Sequence, residues 1–198
     1  LLTLLGVTKP TSGMVRVNDR PLAEREDLFR SSLGYVPQDD IVHRELTVTQ
    51  AITYSAQLKL PSSTPRRAIR DLVDETIERL GLTPHKDKRI TQLSGGQRKR
   101  VSIASELLAK PSVLFLDEPS SGLDPKSEFD LMELLRVKLA TSEACTVICT
   151  THVLAKADLF NQIIFVHDGN VIFQGLPEEA APHFGVQPDH WQDIYLKV

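Results

Sequence analysis

Cysteine is scarce in this chain, with two among 198 residues, and so are tryptophan (one) and methionine (two). Cys145 and Cys149 share one apolar stretch that reads as a strand. Four residues of strand span about 13 Å, whereas a disulfide needs Cα atoms within roughly 7 Å. The two cannot pair there, and free, buried thiols fit a reducing cytosol. No uninterrupted apolar run approaches the ~20 residues that cross a bilayer, and no secretory signal is visible. Membrane association would therefore come through a partner or another segment. The net charge is −3 with 25% of residues charged, so the basic footprint of a nucleic-acid binder is absent. No His/Cys spacing resembles a metal site. His43, His85, His167, His183 and His190 read as ordinary surface histidines. The chain lacks an initiator Met, and Leu1 reads as a truncation point. Internal repeats, low-complexity tracts and long linkers are missing too.

What is present is an alternation of strand and helix. Residues 1–6 read as the end of a helix closed by Gly6. Met14–Val17 reads as a short strand before an Asn18-Asp19 turn, and Leu33–Pro37 as a second strand that delivers Gln38. Thr47-x-x-Gln50 has the spacing of a capping box, opening a helix that stops before Pro61. Thr64 and Pro65 fit the N-cap and first position of the next helix. There Ala68, Ile69, Leu72, Val73, Thr76, Ile77 and Leu80 recur at helical spacing until Gly81. Val113–Leu116 and Thr146–Thr150 are continuous apolar or β-branched runs, the pattern of parallel strands covered on both faces. Ser127–Leu139 reads as the crossover helix between them, with Phe129, Met132, Leu135 and Leu139 on one side. Ile163–Val166, Asp168-Gly169-Asn170 and Val171–Phe173 form a hairpin pattern. The expected layout is an α/β core over residues 1–41 and 93–198, interrupted by a helical insert over 42–92.

Four places carry the chemistry. Asp117 and Glu118 end the strand Val113–Leu116, and ligands gather beyond the carboxyl ends of parallel strands. One carboxylate there can reach Mg²⁺ and the next can engage a water attacking a γ-phosphate; an isolated acidic pair could equally end a strand and cap the next turn. Ser94-Gly95-Gly96-Gln97 opens a helix, and a helix start with glycines offers unpaired N–H donors to a phosphate. Most such triplets are simply an N-cap with a glycine turn. His152 closes the strand Thr146–Thr151, where imidazole can donate one hydrogen bond to a phosphate oxygen. Gln38 ends its own strand, where an amide oxygen can ligate Mg²⁺ weakly; by itself it reads as a loop residue.

Leu93-Ser94-Gly95-Gly96-Gln97, then Val113–Leu116 with Asp117-Glu118, then Ser121-Gly122-Leu123-Asp124 resemble in their order the signature motif, Walker B strand and D-loop of an ABC-type ATPase. Gln38 matches the Q-loop and His152 the H-loop. "LLTLLGVTKPTSG" is similar to the helix and turn that follow the family's phosphate loop. "GYVPQDD", "LTVTQAI", "SGGQRKRVSIASELL" and "FLDEPSSGLD" look most like the G-type (White-like) half-transporters and their bacterial relatives. "HWQDIYLKV" resembles the "NPADFFLDV" segment before their membrane domain, without its Asn-Pro. No G-x-x-x-x-G-K-[ST] occurs anywhere, so the phosphate loop, its Lys and the adenine-stacking aromatic are missing.

The resemblance implies a P-loop-NTPase-like α/β fold: a mostly parallel sheet flanked by helices, with an inserted helical subdomain and a small antiparallel hairpin, the N-terminal strands being absent. It implies ATP and Mg²⁺ as ligands. Two such domains would close head to tail, with Ser94, Gly95, Gly96, Gln97 and Asp124 meeting nucleotide at the shared interface. Asp117 and Gln38 would serve the metal, while Glu118, Gln38 and His152 would act in hydrolysis. It also implies a second nucleotide-binding domain as partner, and a transmembrane domain placed C-terminally in the same chain and holding it at the cytoplasmic face. Without the loop, this polypeptide alone is expected to hydrolyse ATP negligibly and to expose a sheet edge. Two other readings compete. One is a soluble, non-transport ABC ATPase; the stretch from Gln38 to Ser94 is too short for the coiled-coil arms of the chromosome type. The other is a non-catalytic module lending its signature to a partner's ATP.

Overall fold

The computed structural model describes residues 1–17, 19–22, 32–140, 145–152, 154–187 and 191–196. Asn18 of the predicted first turn and His190 lie outside them, as do the last two residues. The chain divides into two compact units, Leu1–Thr150 and Thr151–Val198.

The first unit is built on a three-stranded parallel sheet. It comprises β3 (Leu33–Val36), β4 (Val113–Asp117) and β5 (Thr146–Thr150), in that spatial order. Register pairs Val36 with Leu116 and Asp117 with Thr150. The central strand β4 is buried on both faces, with Leu114 and Leu116 on one and Phe115 on the other, as the unbroken apolar run requires. β5 differs from expectation. Among the described residues it is an edge strand, and Thr146 and Ile148 are exposed. Its β-branched residues are covered on one side only, because no further described strand pairs with it. Gly34 of β3 is held to glycine by crowding: a Cβ there would lie 2.7 Å from Leu114 Cδ1, with Glu106 and Pro111 at 3.3 Å.

Two short strands, β1 (Arg16–Val17) and β2 (Arg20–Pro21), form an antiparallel ribbon ahead of the sheet; β1 is shorter than the predicted Met14–Val17. Leu1–Val7 makes a single helical turn, closed by Val7 N–H to Leu2 O at 3.0 Å, with Gly6 at φ 72°.

Between β3 and β4 run three helices, α1 (Val48–Lys59), α2 (Arg66–Arg79) and α3 (Gly95–Leu107). The predicted capping box is formed: Thr47 accepts from the Gln50 N–H, and Gln50 accepts from the Thr47 N–H. α2 begins one residue later than expected, with Pro65 rather than Thr64 as N-cap and no side-chain cap bond. Proline's φ and the extended ψ it holds there set the entry, so no hydroxyl is needed. Val73, Thr76, Ile77 and Leu80 of the predicted stripe are buried, while Ala68 is exposed. α1 and α2 pack on each other and on α3.

The crossover from β4 to β5 starts at α4 (Pro125–Leu134), two residues earlier than predicted, and continues as a π-helical turn over Leu135–Ala140. Met132, Leu135 and Leu139 are buried as expected, but Phe129 is 39% exposed. Phe129 lies in the regular α-helical part, one position out of line with the buried Leu131 and Met132.

The second unit contains the predicted hairpin, β6 (Ile163–His167) and β7 (Asn170–Gly175), which turns through Asp168 and Gly169 at φ 47° and 76°. Both positive angles are what a two-residue hairpin loop demands. A short helix, α5 (Pro177–Phe184), brings His183 and Phe184 against Phe165 and Phe173, with ring centroids 4.8–6.2 Å apart.

Gly34→Ala is expected to cost about 1–3 kcal/mol by overpacking. Urea unfolding of the two chains, with equal m-values, measures it; no change would show that Leu114 and Pro111 give way freely.

Candidate functional site

The carboxyl ends of β3, β4 and β5 bring three of the predicted residues together. Register alone places Asp117 beside Thr150. The Thr150 hydroxyl donates to Asp117 Oδ1 at 2.6 Å and accepts from the Glu118 N–H at 3.0 Å. Tyr35, on β3, adds a hydroxyl to the same carboxylate. Its pKa is raised, first by burial, then by the charge of Asp117 and its hydrogen bond to it. Asp117 is therefore oriented from both neighbouring strands.

Glu118 leaves the strand with φ 41°, in the left-handed region. A non-glycine residue there stores of order 1–3 kcal/mol and persists only where its surroundings hold it. The Thr150 oxygen on its N–H is one such restraint. The turn carries the Glu118 side chain to the next strand tip, where Gln38 Nε2 donates to Glu118 Oε2 at 3.2 Å. Two residues predicted from separate parts of the sequence thus meet.

A carboxylate has about four lone-pair sites, and two hydroxyls on Asp117 leave capacity for metal-bound water. Among the described residues no cluster of three or more Asp, Glu, His or Cys could cage an ion. That donor set suits Mg²⁺, which keeps several waters and takes one or two carboxylates plus substrate phosphates. The residues present fit the ion.

The helix α3 starts at the surface. Ser94 is exposed and Gly95 half-buried. Ser94 Oγ accepts from the Gln97 N–H at 3.3 Å, so its own hydrogen remains available to donate. Gln97 is engaged within its own domain: Oε1 accepts from the Ser94 N–H, and Nε2 donates to His85 Nε2, each at 3.0 Å. The glycines also have an internal reason to be there. A Cβ on Gly95 would lie 3.0 Å from Leu123 Cδ2, and one on Gly96 3.2 Å from Ser127 Cβ. A larger residue at either position would make Leu123 or Ser127 give way by a few tenths of an ångström.

Asp124 caps α4, accepting from the Lys126 and Ser127 N–H groups at 3.1 Å and from the Ser127 hydroxyl at 2.5 Å. These bonds, that of the Ser127 hydroxyl foremost, lower its pKa. Its capping contribution is thus present above the ordinary carboxylate pKa and fades as pH falls through the lowered one. His152 follows β5 by two residues in an exposed bend and belongs to the second unit.

Sequence reasoning missed Thr150, Tyr35 and His85. Thr150 carried a signal, since a hydroxyl residue ending the strand next to an Asp-ending strand can reach it. Tyr35 and His85 had none beyond residue type. Thr150→Val, which keeps shape but deletes the hydroxyl, is expected to cost about 1–3 kcal/mol, measured by chemical denaturation; an unchanged midpoint would remove the hydroxyl from the account. Burial pushes the Cys149 thiol up to about 12. Its contribution to stability is therefore present below the ordinary thiol pKa and is lost as pH rises through about 12. Native Cys149 is expected to resist iodoacetamide at neutral pH and to react after unfolding, as mass spectrometry of the alkylated chain would show.

The family model for ABC transporters matches residues 1–121. The chain is 40% identical over 194 residues to the ABC transporter ATP-binding/permease protein Rv1747 of Mycobacterium tuberculosis, covering 98% of this chain and 22% of that protein. To ABC transporter G family member 13 of Arabidopsis thaliana it is 40% identical, covering 88% and 26%. To the broad substrate specificity transporter ABCG2 of Bos taurus it is 35% identical, covering 93% and 29%. The chain thus spans about a quarter of the length of these relatives. Among solved structures, cbiO1 of Clostridium perfringens, part of the ABC transporter complex cbiONQ, superposes with a TM-score of 0.83 at 31% identity, covering all of this chain and 77% of that one. MJ0796, an ATP-binding cassette solved as a dimer in a post-hydrolysis state with ADP and Pi, gives 0.74 at 26%, covering 88% and 78%. With a P-loop-NTPase-like sheet, a family model matching more than half its length and G-type relatives across nearly all of it, the chain belongs to the ABC transporter family as part of an ATPase domain.

Proposed function

We propose that this chain is the ATP-hydrolysing part of an ABC transporter of the G type, working as one of a pair of nucleotide-binding domains. The observation that carries the reading is the meeting of Gln38 and Glu118 at 3.2 Å, beside an Asp117 oriented by Thr150 and Tyr35.

In this reading Glu118 accepts a proton from the attacking water, and Gln38 holds the carboxylate in place and would help hold the metal through its amide oxygen. Asp117 would hold Mg²⁺ through its waters, and the ion would supply charge neutralisation on the transferring phosphoryl group. His152 donates to a γ-phosphate oxygen. Ser94, with the N–H groups of Gly95 and Gly96, meets ATP held by the partner domain. Gln97 acts one step back, keeping the helix start in shape through Ser94. Asp124 shapes the loop at the same interface by capping α4. The dimer is favoured by the paired form of the MJ0796 relative.

The domain organisation we favour is an ATPase core of residues 1–41 and 93–198 with a helical insert over 42–92, the insert facing the cytoplasmic helices of a transmembrane domain. No helix among the described residues is long and apolar enough to cross a membrane, so attachment at the cytoplasmic face would come from that further domain, C-terminal in the same chain. The permease in the name of the mycobacterial relative supports this.

The test uses the full coding sequence, purified from membranes, beside residues 1–198 alone. The full protein is expected to release phosphate from Mg-ATP, and Glu118→Gln to lower the rate by about 100-fold or more while still retaining bound ATP. Residues 1–198 alone are expected to show negligible turnover in a malachite-green assay. Absence of turnover in the full protein, or recovery with ribosomes instead of membranes, would overturn the reading.

A further inference from the structure

Beyond the strand tips, the segment Pro37–Asp40 is gripped from below by α3. Lys99 is 5% exposed, one of few buried polar side chains among the described residues. Its Nζ donates to Gln38 O at 2.7 Å and Pro37 O at 3.2 Å and stands 3.6 Å from Asp40 Oδ1. Arg98 Nε donates to Asp40 Oδ2 at 3.3 Å, and Arg98 Nη1 to Leu93 O at 2.6 Å. Ser102 Oγ donates to Asp40 Oδ1 at 3.4 Å.

An ammonium has three protons and no acceptor, and burying one is costly unless all three are met. Here two main-chain carbonyls accept two of them and the Asp40 carboxylate stands by as the counter-charge, all from the four residues that follow β3. A Lys placed merely to solvate a helix face would extend to water; this one cannot. The carbonyl it holds most closely belongs to Gln38, whose side chain meets Glu118. The carboxylate it shares with Arg98 is tied through that arginine to the carbonyl just before Ser94.

We propose that Lys99 and Asp40 are positioning residues that fasten Gln38 to the first turns of α3, so that the Gln38 loop and the Ser94–Gln97 helix start move as one piece. The inference rests on the proposed function. In that reading Gln38 serves the phosphate bound by its own domain and Ser94 the nucleotide of the partner. One protomer would then link the two composite sites through a buried ammonium rather than through the dimer interface. Physical continuity alone does not demonstrate coupling, so the test reads both ends.

In the full-length protein, Lys99→Met keeps the length of the side chain and deletes its donors. It is expected to lower kcat by roughly 10- to 100-fold through misplacement of Gln38, with KM for ATP within about 2-fold. Backbone amide exchange should rise together at residues 38–40 and 94–97. Lys99→Arg, which keeps donors and charge, should recover most of kcat and restore protection at both segments. Should Lys99→Met fail to fold, Asp40→Asn, which removes the charge and keeps an acceptor, carries the same readouts. An unchanged kcat, a parallel loss of kcat, KM and melting temperature, or exchange that rises at 38–40 while 94–97 stays protected would each overturn the proposal. If the wild-type protein itself shows no turnover, the functional reading has failed; the exchange measurement needs no turnover and still decides the clamp.

Discussion

The pairing of β4 with β3 and β5 in parallel register is the constraint on which the site depends. Because Asp117 is opposite Thr150, one hydroxyl can orient the Asp117 carboxylate and hold the Glu118 N–H. Because β3 ends level with Leu116, Gln38 emerges where Glu118 arrives after its left-handed turn. A slip of one residue in either pair would move each tip by about 3.3 Å and send its side chain to the other face. Neither the hydroxyl bridge nor the amide–carboxylate contact survives such a shift. The apolar centre of β4, buried on both faces, resists it: Leu114, Phe115 and Leu116 would all have to change surroundings.

Much of this was legible in the sequence because it is local. The capping box at Thr47 arises from residues three apart, and it is formed. The Asp168-Gly169 turn needs only two residues able to take positive φ. Leu93–Gln97, Asp117-Glu118 and Ser121–Asp124 could be placed by their order along the chain, as could Gln38 at its strand end. Features that depend on long-range packing could not be read. The N-terminal limit of α2 is set by how Pro65 enters, and no spacing announces the π turn that follows Leu134. β5 looked like an interior strand because Thr, Val and Ile say nothing about which side lacks a neighbour. The division at Thr150 left no composition shift to find. Thr150 and Tyr35 show a second limit. A hydroxyl becomes functional through the group that stands opposite it, and only the register supplies that.

The signature residues reveal how a motif can meet internal and external demands at once. A Cβ on Gly95 or Gly96 would press on Leu123 or Ser127, and Gln97 spends both ends of its amide on Ser94 and His85. These contacts alone would select the same residue types. They also leave an exposed helix start whose Ser94 hydroxyl has a hydrogen to give, which is the property a phosphate needs. Packing against the Leu123 loop thus preorganises the donors before any ligand arrives, and preorganised donors cost no rearrangement when charge approaches them.

The same economy explains why α3 carries Arg98 and Lys99 directly behind the motif. Its first turn faces outward, while its second reaches under the β3 tip and meets the Gln38 and Asp40 groups. A helix is stiff over such a distance, so a displacement at its start cannot be absorbed between Ser94 and Lys99. It must be passed to the loop or resisted by it. With the Lys99 ammonium buried, letting go would strand a charge without partners, a cost of several kcal/mol. In the proposed reading, that cost is what keeps Gln38 and Ser94 from responding to their ligands independently.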